Sequence, residues 1–282
     1  MNSSIKNRRA IHVVPQPLAF PIARQHDYYE EAPQILGKTA KVPQLLKELP
    51  DGVIYDFQRI LENILSLRQT KKSQIIGITS ANSHEGTSTV AAILSLLAAA
   101  RQHSYFRVMK NRDENRAFSK LKVKIHIQNI LLIDAQLKNP TLHKLLGVDL
   151  HPGLNDVLES KVILKDSVRS IANSQLKFIP TGNPTDAPLF HLYFDDLERL
   201  LKRMRPYLHF IFVDIPPLLE YAEGITLSKL CDGIILIIKS THTRWEAVRE
   251  AKNLLEKAHI NILGTVLNAK KSYVPNWLVH RL

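Results

Sequence analysis

The chain has 282 residues, 45% of them hydrophobic and 23% charged, with one cysteine and a formal net charge of +12. That length holds one α/β domain of about 200 residues plus extensions. Cys231 on its own excludes an internal disulfide framework, and no apolar run reaches the ~18 residues that a spanning helix needs.

The charge is unevenly placed. Residues 1–50 carry +3, residues 101–128 carry +6 and residues 270–282 carry +3, so the rest of the chain is neutral overall. A peripheral basic excess of this kind suits an anionic partner, such as a lipid surface, nucleic acid or an acidic protein face. It equally suits a solvated surface that keeps the protein soluble.

In chain order, residues 1–50 hold Pro15, Pro17, Pro21, Pro33, Pro43 and Pro50 and show no helical or strand period. They are expected to form an extended, partly disordered arm. From Tyr55 the apolar residues Phe57, Ile60, Leu61, Ile64 and Leu67 recur every three or four positions, which predicts a helix with one buried face. Buried strands are predicted at 74–79, 130–134, 176–179, 210–214, 233–238 and 264–268. Helices are predicted at 88–100, 195–205 and 245–257. Short β-branched runs alternating with helices predict an α/β fold with a mostly parallel sheet covered on both faces. The α/β domain is expected to span 51–269, with a basic insertion at 101–128 that contains Tyr105 and Phe106. A short amphipathic tail, 270–282, follows. Its Trp277, Leu278, Val279 and Leu282 beside Lys270, Lys271 and Arg281 could touch a membrane surface or fold back on the domain.

Ligands of parallel sheets bind beyond the carboxyl ends of the strands. Three predicted strands end at candidate chemistry: the loop Ser80–Ser88, Asp134, and Asp214-Ile215-Pro216-Pro217. The loop joins a strand to a helix, as a phosphate-binding P-loop of pattern G-x-x-x-x-G-K-[ST] does. Ala81 takes the first glycine position, Gly86 the second, Thr87 the lysine position and Ser88 the serine position. Backbone N–H groups over Glu85, Gly86, Thr87, Ser88 and Thr89, at a helix N-terminus, form an anion site. Ser88 is placed to hold Mg²⁺. The lysine would put positive charge on the β- and γ-phosphates, and Thr87 cannot. His84 is expected to face solvent.

Downstream motifs occur in a recognisable order. Ile130-Leu131-Leu132-Ile133-Asp134-Ala135-Gln136-Leu137-Lys138-Asn139-Pro140 resembles a D-x-D-x-R-x-P motif. Pro152-Gly153-Leu154-Asn155-Asp156-Val157-Leu158 resembles P-G-L-x-x-V-L. Ile179 to Pro184 resembles a strand followed by a Gly-Pro turn. Val213-Asp214-Ile215-Pro216-Pro217 resembles a Walker B signature. Asp232-Gly233 opens a further strand, and Leu263 to Asn268 resembles the last one. In this order the motifs resemble the bacterial tyrosine kinases (BY-kinases) of exopolysaccharide export, a group within the MinD/ParA-like P-loop superfamily. The likeness runs from about residue 53 to 275.

The resemblance implies ATP and Mg²⁺ as cofactors, Asp134 and Asp214 as catalytic and metal-positioning acids with Ser88, and Asn268 beside the adenine. The departures imply a degenerate member. Thr87 replaces lysine, Gln136 replaces the second acid, Lys138 replaces arginine and Glu223 stands for aspartate. Tyr55, Gln58 and Leu61 occupy the places of the E-x-x-R-x-x-R oligomerisation helix, so the oligomeric state is left open. Tyr273 alone remains of the C-terminal tyrosine cluster. Asp134 and Asp214 then read either as Mg²⁺ ligands or as inherited acids that cap backbone without turnover.

The expected function is regulatory: a cytoplasmic protein, at the inner face of the membrane, partnering a polysaccharide co-polymerase or export protein. The alternatives are an active tyrosine autokinase of the same pathway and a MinD/ParA-type positioning ATPase. The Pro216-Pro217 pair and the Pro-Gly-Leu segment favour the polysaccharide group. The insertion lacks a nucleic-acid reading motif, so nucleic acid is not expected as a partner.

Overall fold

The computed structural model describes residues 38–40, 49, 51–66, 73–100, 129–171, 176–183 and 193–269. The basic insertion, the tail and most of the N-terminal arm lie outside the described residues, as do Leu67, Tyr273 and Pro184.

Eight strands form one sheet in the order β1-β4-β5-β3-β6-β2-β7-β8. They are β1 (Lys38–Ala40), β2 (Gln74–Ser80), β3 (Ile130–Asp134), β4 (Arg169–Ile171), β5 (Leu176–Ile179), β6 (Phe210–Asp214), β7 (Gly233–Lys239) and β8 (Ile262–Asn268). From β5 to β8 every pairing is parallel. β4 meets β5 antiparallel, and β1 runs parallel to β4. The six predicted strands are present. The two extra ones, β1 and β4, are three residues each, too short to carry a sequence period. β1 lies within the N-terminal arm, where Lys38–Ala40 pair with Arg169–Ile171 at the sheet edge.

Strand side chains alternate between faces, so each buried strand feeds two cores. Ile76, Ile78, Leu132, Phe210, Phe212, Ile235 and Ile237 pack on one face. That face is covered by α1 (Asp51–Ser66), α2 (Thr87–Ala100) and α3 (Leu142–Leu146). Ile75, Leu131, Ile133, Ile211, Val213, Ile234 and Leu236 pack on the other. Two short helices, α4 (Leu154–Leu158) and α5 (Leu164–Ser167), follow α3. The second face is covered by α6 (Phe194–Met204) and α8 (Trp245–Lys257), with α7 (Ala222–Ser228) beside them. Burial on both faces is why these strands read as continuous apolar runs.

α2, with sequence TSTVAAILSLLAAA, is apolar around its whole circumference. Val90, Ala91, Ala92, Leu94, Leu96, Ala98 and Ala99 are all fully buried. A helix of that kind belongs in a core. It fixes the loop that precedes it.

Gly77 sits where β2 passes closest to its neighbours. A Cβ there would lie 2.4 Å from Ile234 Cδ1 and 2.5 Å from Ile215 Cδ1. The Pro-Gly-Leu segment is locked in a similar way: a Cβ on Gly153 would meet Gly182 N at 2.1 Å. Asp156 accepts from Gly153 N at 2.8 Å and from Asn183 Nδ2 at 3.0 Å. The second and third motifs are thus one packing unit beside β5. Buried Arg169 seals it by donating to the carbonyls of His151, Pro152 and Asp166. Among the described residues no helix is long and apolar enough to cross a membrane.

Candidate functional site

The carboxyl ends of β2, β3, β6, β7 and β8 converge on the loop that follows β2. Gly86 adopts φ +91° and His84 φ +63°, left-handed values that curl the loop towards the start of α2. The first α2 bond runs from Val90 N to Gly86 O at 3.0 Å. The preceding N–H groups at that helix end have no carbonyl partner within the helix, the usual basis of an anion site. His84 is exposed, as expected.

Thr87 is only 6% exposed, and its hydroxyl donates to Ser80 Oγ at 3.0 Å. Ser80 Oγ in turn donates to Asn82 O at 2.8 Å. The side chain in the lysine position is therefore turned inward to brace the loop. Glu85 is also buried, at 1% exposure, with Oε1 accepting from Asn82 Nδ2. Burial raises its pKa, opposed by hydrogen bonds from Thr243 and Asn82.

Asn268, expected near an adenine, donates from Nδ2 to Glu85 O at 2.9 Å. It lies so close to Gly86 that a Cβ there would be 2.1 Å from Nδ2. Ser88 and Thr89 open α2 and are half-buried.

Asp134 and Asp214 are paired directly across β3 and β6, and both are fully buried. Asp134 Oδ1 accepts from Gln136 N at 3.0 Å. Asp214 accepts from Ser88, and from Gln136 Nε2 at 3.4 Å. The Oδ2 atom of each acid is buried without a protein partner. Desolvation pushes the Asp134 carboxyl up to about 7. Asp214 is raised by desolvation and by the neighbouring Asp134 charge. Gln136 stands beside the two acids with an amide that donates to Asp214 and to Ile215 O.

Two fully buried carboxylate oxygens without partners, beside the Ser88 hydroxyl, fit a hard cation such as Mg²⁺ that also takes phosphate oxygens. The loop backbone fits the phosphates. Among the described residues no group of three or more His, Cys, Asp or Glu side chains could hold a metal by itself.

A shallow depression next to the loop is lined by Ser83, Gln136, Lys138, Pro216, Tyr221 and Glu223. Lys138 lies over the Tyr221 ring, 5.1 Å from its centroid. On α1, Tyr55 is exposed but Leu61 is in the core, so that residue cannot serve a contact surface.

Two site residues escape a reading of the sequence. Lys239, at the end of β7, donates from Nζ to His84 O at 3.1 Å. Glu220 accepts from both the backbone N–H and the hydroxyl of Ser83. These contacts span 155 and 137 residues of chain, and no local pattern marks either one.

With this geometry the chain can be compared with known proteins. It is 26% identical over 215 residues to the tyrosine-protein kinase YwqD of Bacillus subtilis strain 168, covering 76% of this chain and 80% of that one. It is 27% identical over 141 residues to the tyrosine-protein kinase ptk of Acinetobacter johnsonii. Its curated relatives are bacterial tyrosine-protein kinases. The match to the Acinetobacter kinase covers 50% of this chain and 19% of that longer protein. No protein-family model matches.

Among solved structures the chimerical protein CapA2B2 superposes with a TM-score of 0.64 at 22% identity, covering 84% of this chain and 96% of that one. The cell-division ATPase MinD of Pyrococcus furiosus superposes with a TM-score of 0.55 at 21% identity, covering 74% and 78%. The fold is the P-loop NTPase-like α/β fold, seen also in the kinase domain of the Escherichia coli tyrosine kinase ETK and in MinD.

Proposed function

We propose that this chain is a nucleotide-binding, catalytically weakened relative of the bacterial tyrosine kinases that acts by recognition. Its place is polysaccharide production or export, beside a membrane co-polymerase or export protein. The observation that carries the reading is Thr87, which is buried and bonded to Ser80 where a lysine would meet the phosphates. Each charged hydrogen bond lost with that lysine is worth about 1.5–3 kcal/mol. Losing two corresponds to about 10²–10⁴-fold in nucleotide handling. Gln136 supports the same reading, since an amide beside Asp214 stands where the resembled motif has its second acid.

The residues that would hold a nucleotide are the backbone of Glu85, Gly86, Thr87, Ser88 and Thr89. Ser88, Asp134 and Asp214 would hold its Mg²⁺. Such a metal would neutralise phosphate charge; the unpartnered Oδ2 atoms support a cation there. The test compares the purified chain with Thr87→Lys for ATP affinity by calorimetry and for phosphotyrosine formation. The expected result is weak or absent transfer by the natural chain and a gain in the variant. Transfer by the natural chain at the rate of lysine-bearing kinases would overturn the reading.

A second reading, an active autokinase, draws on Lys239. Its ammonium reaches the loop at His84 O and could supply part of the absent positive charge. If so, Lys239→Met abolishes whatever transfer the natural chain has, while Thr87→Lys changes it little.

A further inference from the structure

Ser83 is the third residue of the phosphate loop counted from Ala81, and its N–H and hydroxyl both donate to the Glu220 carboxylate. The chain after β6 is held against the loop. Leu218 N donates to Ser80 O at 2.9 Å, and Leu219 N donates to Ala81 O at 3.1 Å. Glu220 is exposed at the end of that zipped stretch, so its charge arrives at Ser83 through backbone pairing rather than by chance rotation of a long side chain.

The loop has two distinct sides. On the β7–β8 side Asn268 grips Glu85 O. On the β6–β3 side lie Asp214 and Asp134, fully buried, each with an unpartnered Oδ2. A Mg²⁺ held by Ser88, Asp134 and Asp214 would favour a nucleotide's outer phosphates on the acid side. Glu220 holds Ser83 on that same side, through the segment that continues from Asp214. Thr87 is turned inward, and Lys239 brings its ammonium to His84 O on the β7 side of the loop.

We infer that the site selects a nucleoside diphosphate over a triphosphate, with Glu220 taking the loop donors that an outer phosphate would need. The inference rests on the nucleotide-binding reading above and adds Glu220 as its specificity-determining residue. A third phosphate must expel the carboxylate from Ser83 or lie against a like charge. A diphosphate does neither.

The test is calorimetric titration of the full chain with Mg²⁺-ADP and with the Mg²⁺ complex of the non-hydrolysable β,γ-imido analogue of ATP. It is repeated for Glu220→Gln and Glu220→Ala, each checked for folding by circular dichroism. The natural chain is expected to bind ADP at least tenfold more tightly than the triphosphate. Both variants are expected to bring the two ligands within about threefold, chiefly by tightening the triphosphate. Glu220→Gln keeps the side-chain shape and removes only the charge, so it separates charge from packing.

Equal affinities in the natural chain, or a tenfold preference that survives in both variants, would overturn the inference while leaving nucleotide binding intact. No binding of either nucleotide to any of the three proteins would overturn both readings.

Discussion

Replacing Asp134 by asparagine should stabilise the ligand-free protein, and should do so only above mildly acidic pH. In the fold this carboxyl is fully buried beside Asp214 and titrates near 7, against an ordinary 3.8. The folded state therefore holds a proton more tightly than the unfolded chain does. Stability is highest below the unfolded value and is lost as pH rises through about 7. Carrying this charge inside the fold therefore costs on the order of a few kcal/mol, most of it accruing between pH 5 and pH 8. Asparagine removes the titration, keeps an oxygen to accept from Gln136 N, and relieves the charge facing Asp214. Urea unfolding of both proteins at pH 5, 6, 7 and 8, with chelator present, measures the gap. It should widen by about 2–3 kcal/mol across that range, with Asp134→Asn the more stable protein at pH 8. A variant less stable at pH 8, or a gap independent of pH, would refute the reasoning.

Gly77→Ala should cost about 1–3 kcal/mol by overpacking, because the added carbon meets Ile234 and Ile215; a combined Ile234→Val change should recover part of it in chemical denaturation. Gly86→Ala should lower the melting temperature through its left-handed φ and its collision with Asn268, and adding Asn268→Ala should relieve the collision but not the backbone strain. Asp156→Ala should destabilise by about 1–3 kcal/mol, since it strips the acceptor from Gly153 N and Asn183; hydrogen exchange should then speed up at Gly153.

The six predicted strands were legible because the central ones are buried on both faces, so apolar residues run without interruption, as in Phe210 to Val213 and Ile234 to Ile238. The phosphate loop was legible from its place between β2 and α2 together with Gly86. Its acids were legible because each ends a strand, and the pairing of Asp134 with Asp214 follows once β3 and β6 are neighbours. What stayed hidden is what depends on distant partners. β4 and β1 hold three residues each, and β1 finds its strand partner 131 positions downstream, Lys38 opposite Arg169. Glu220 and Lys239 look like ordinary surface charges until the sheet brings their strand ends to the loop. The inward turn of Thr87 was also beyond reach, since it depends on how the loop folds back to bring the Ser80 hydroxyl, seven residues earlier, against it.

The apolar girth of α2 has a mechanical consequence. A helix buried along nearly its whole length is a fixed post, and the loop joined to it is held from the other side as well, by the strip whose Leu218 and Leu219 pair with Ser80 and Ala81. Freedom to move at this end of the sheet is therefore left to the exposed tip of that strip, at Glu220.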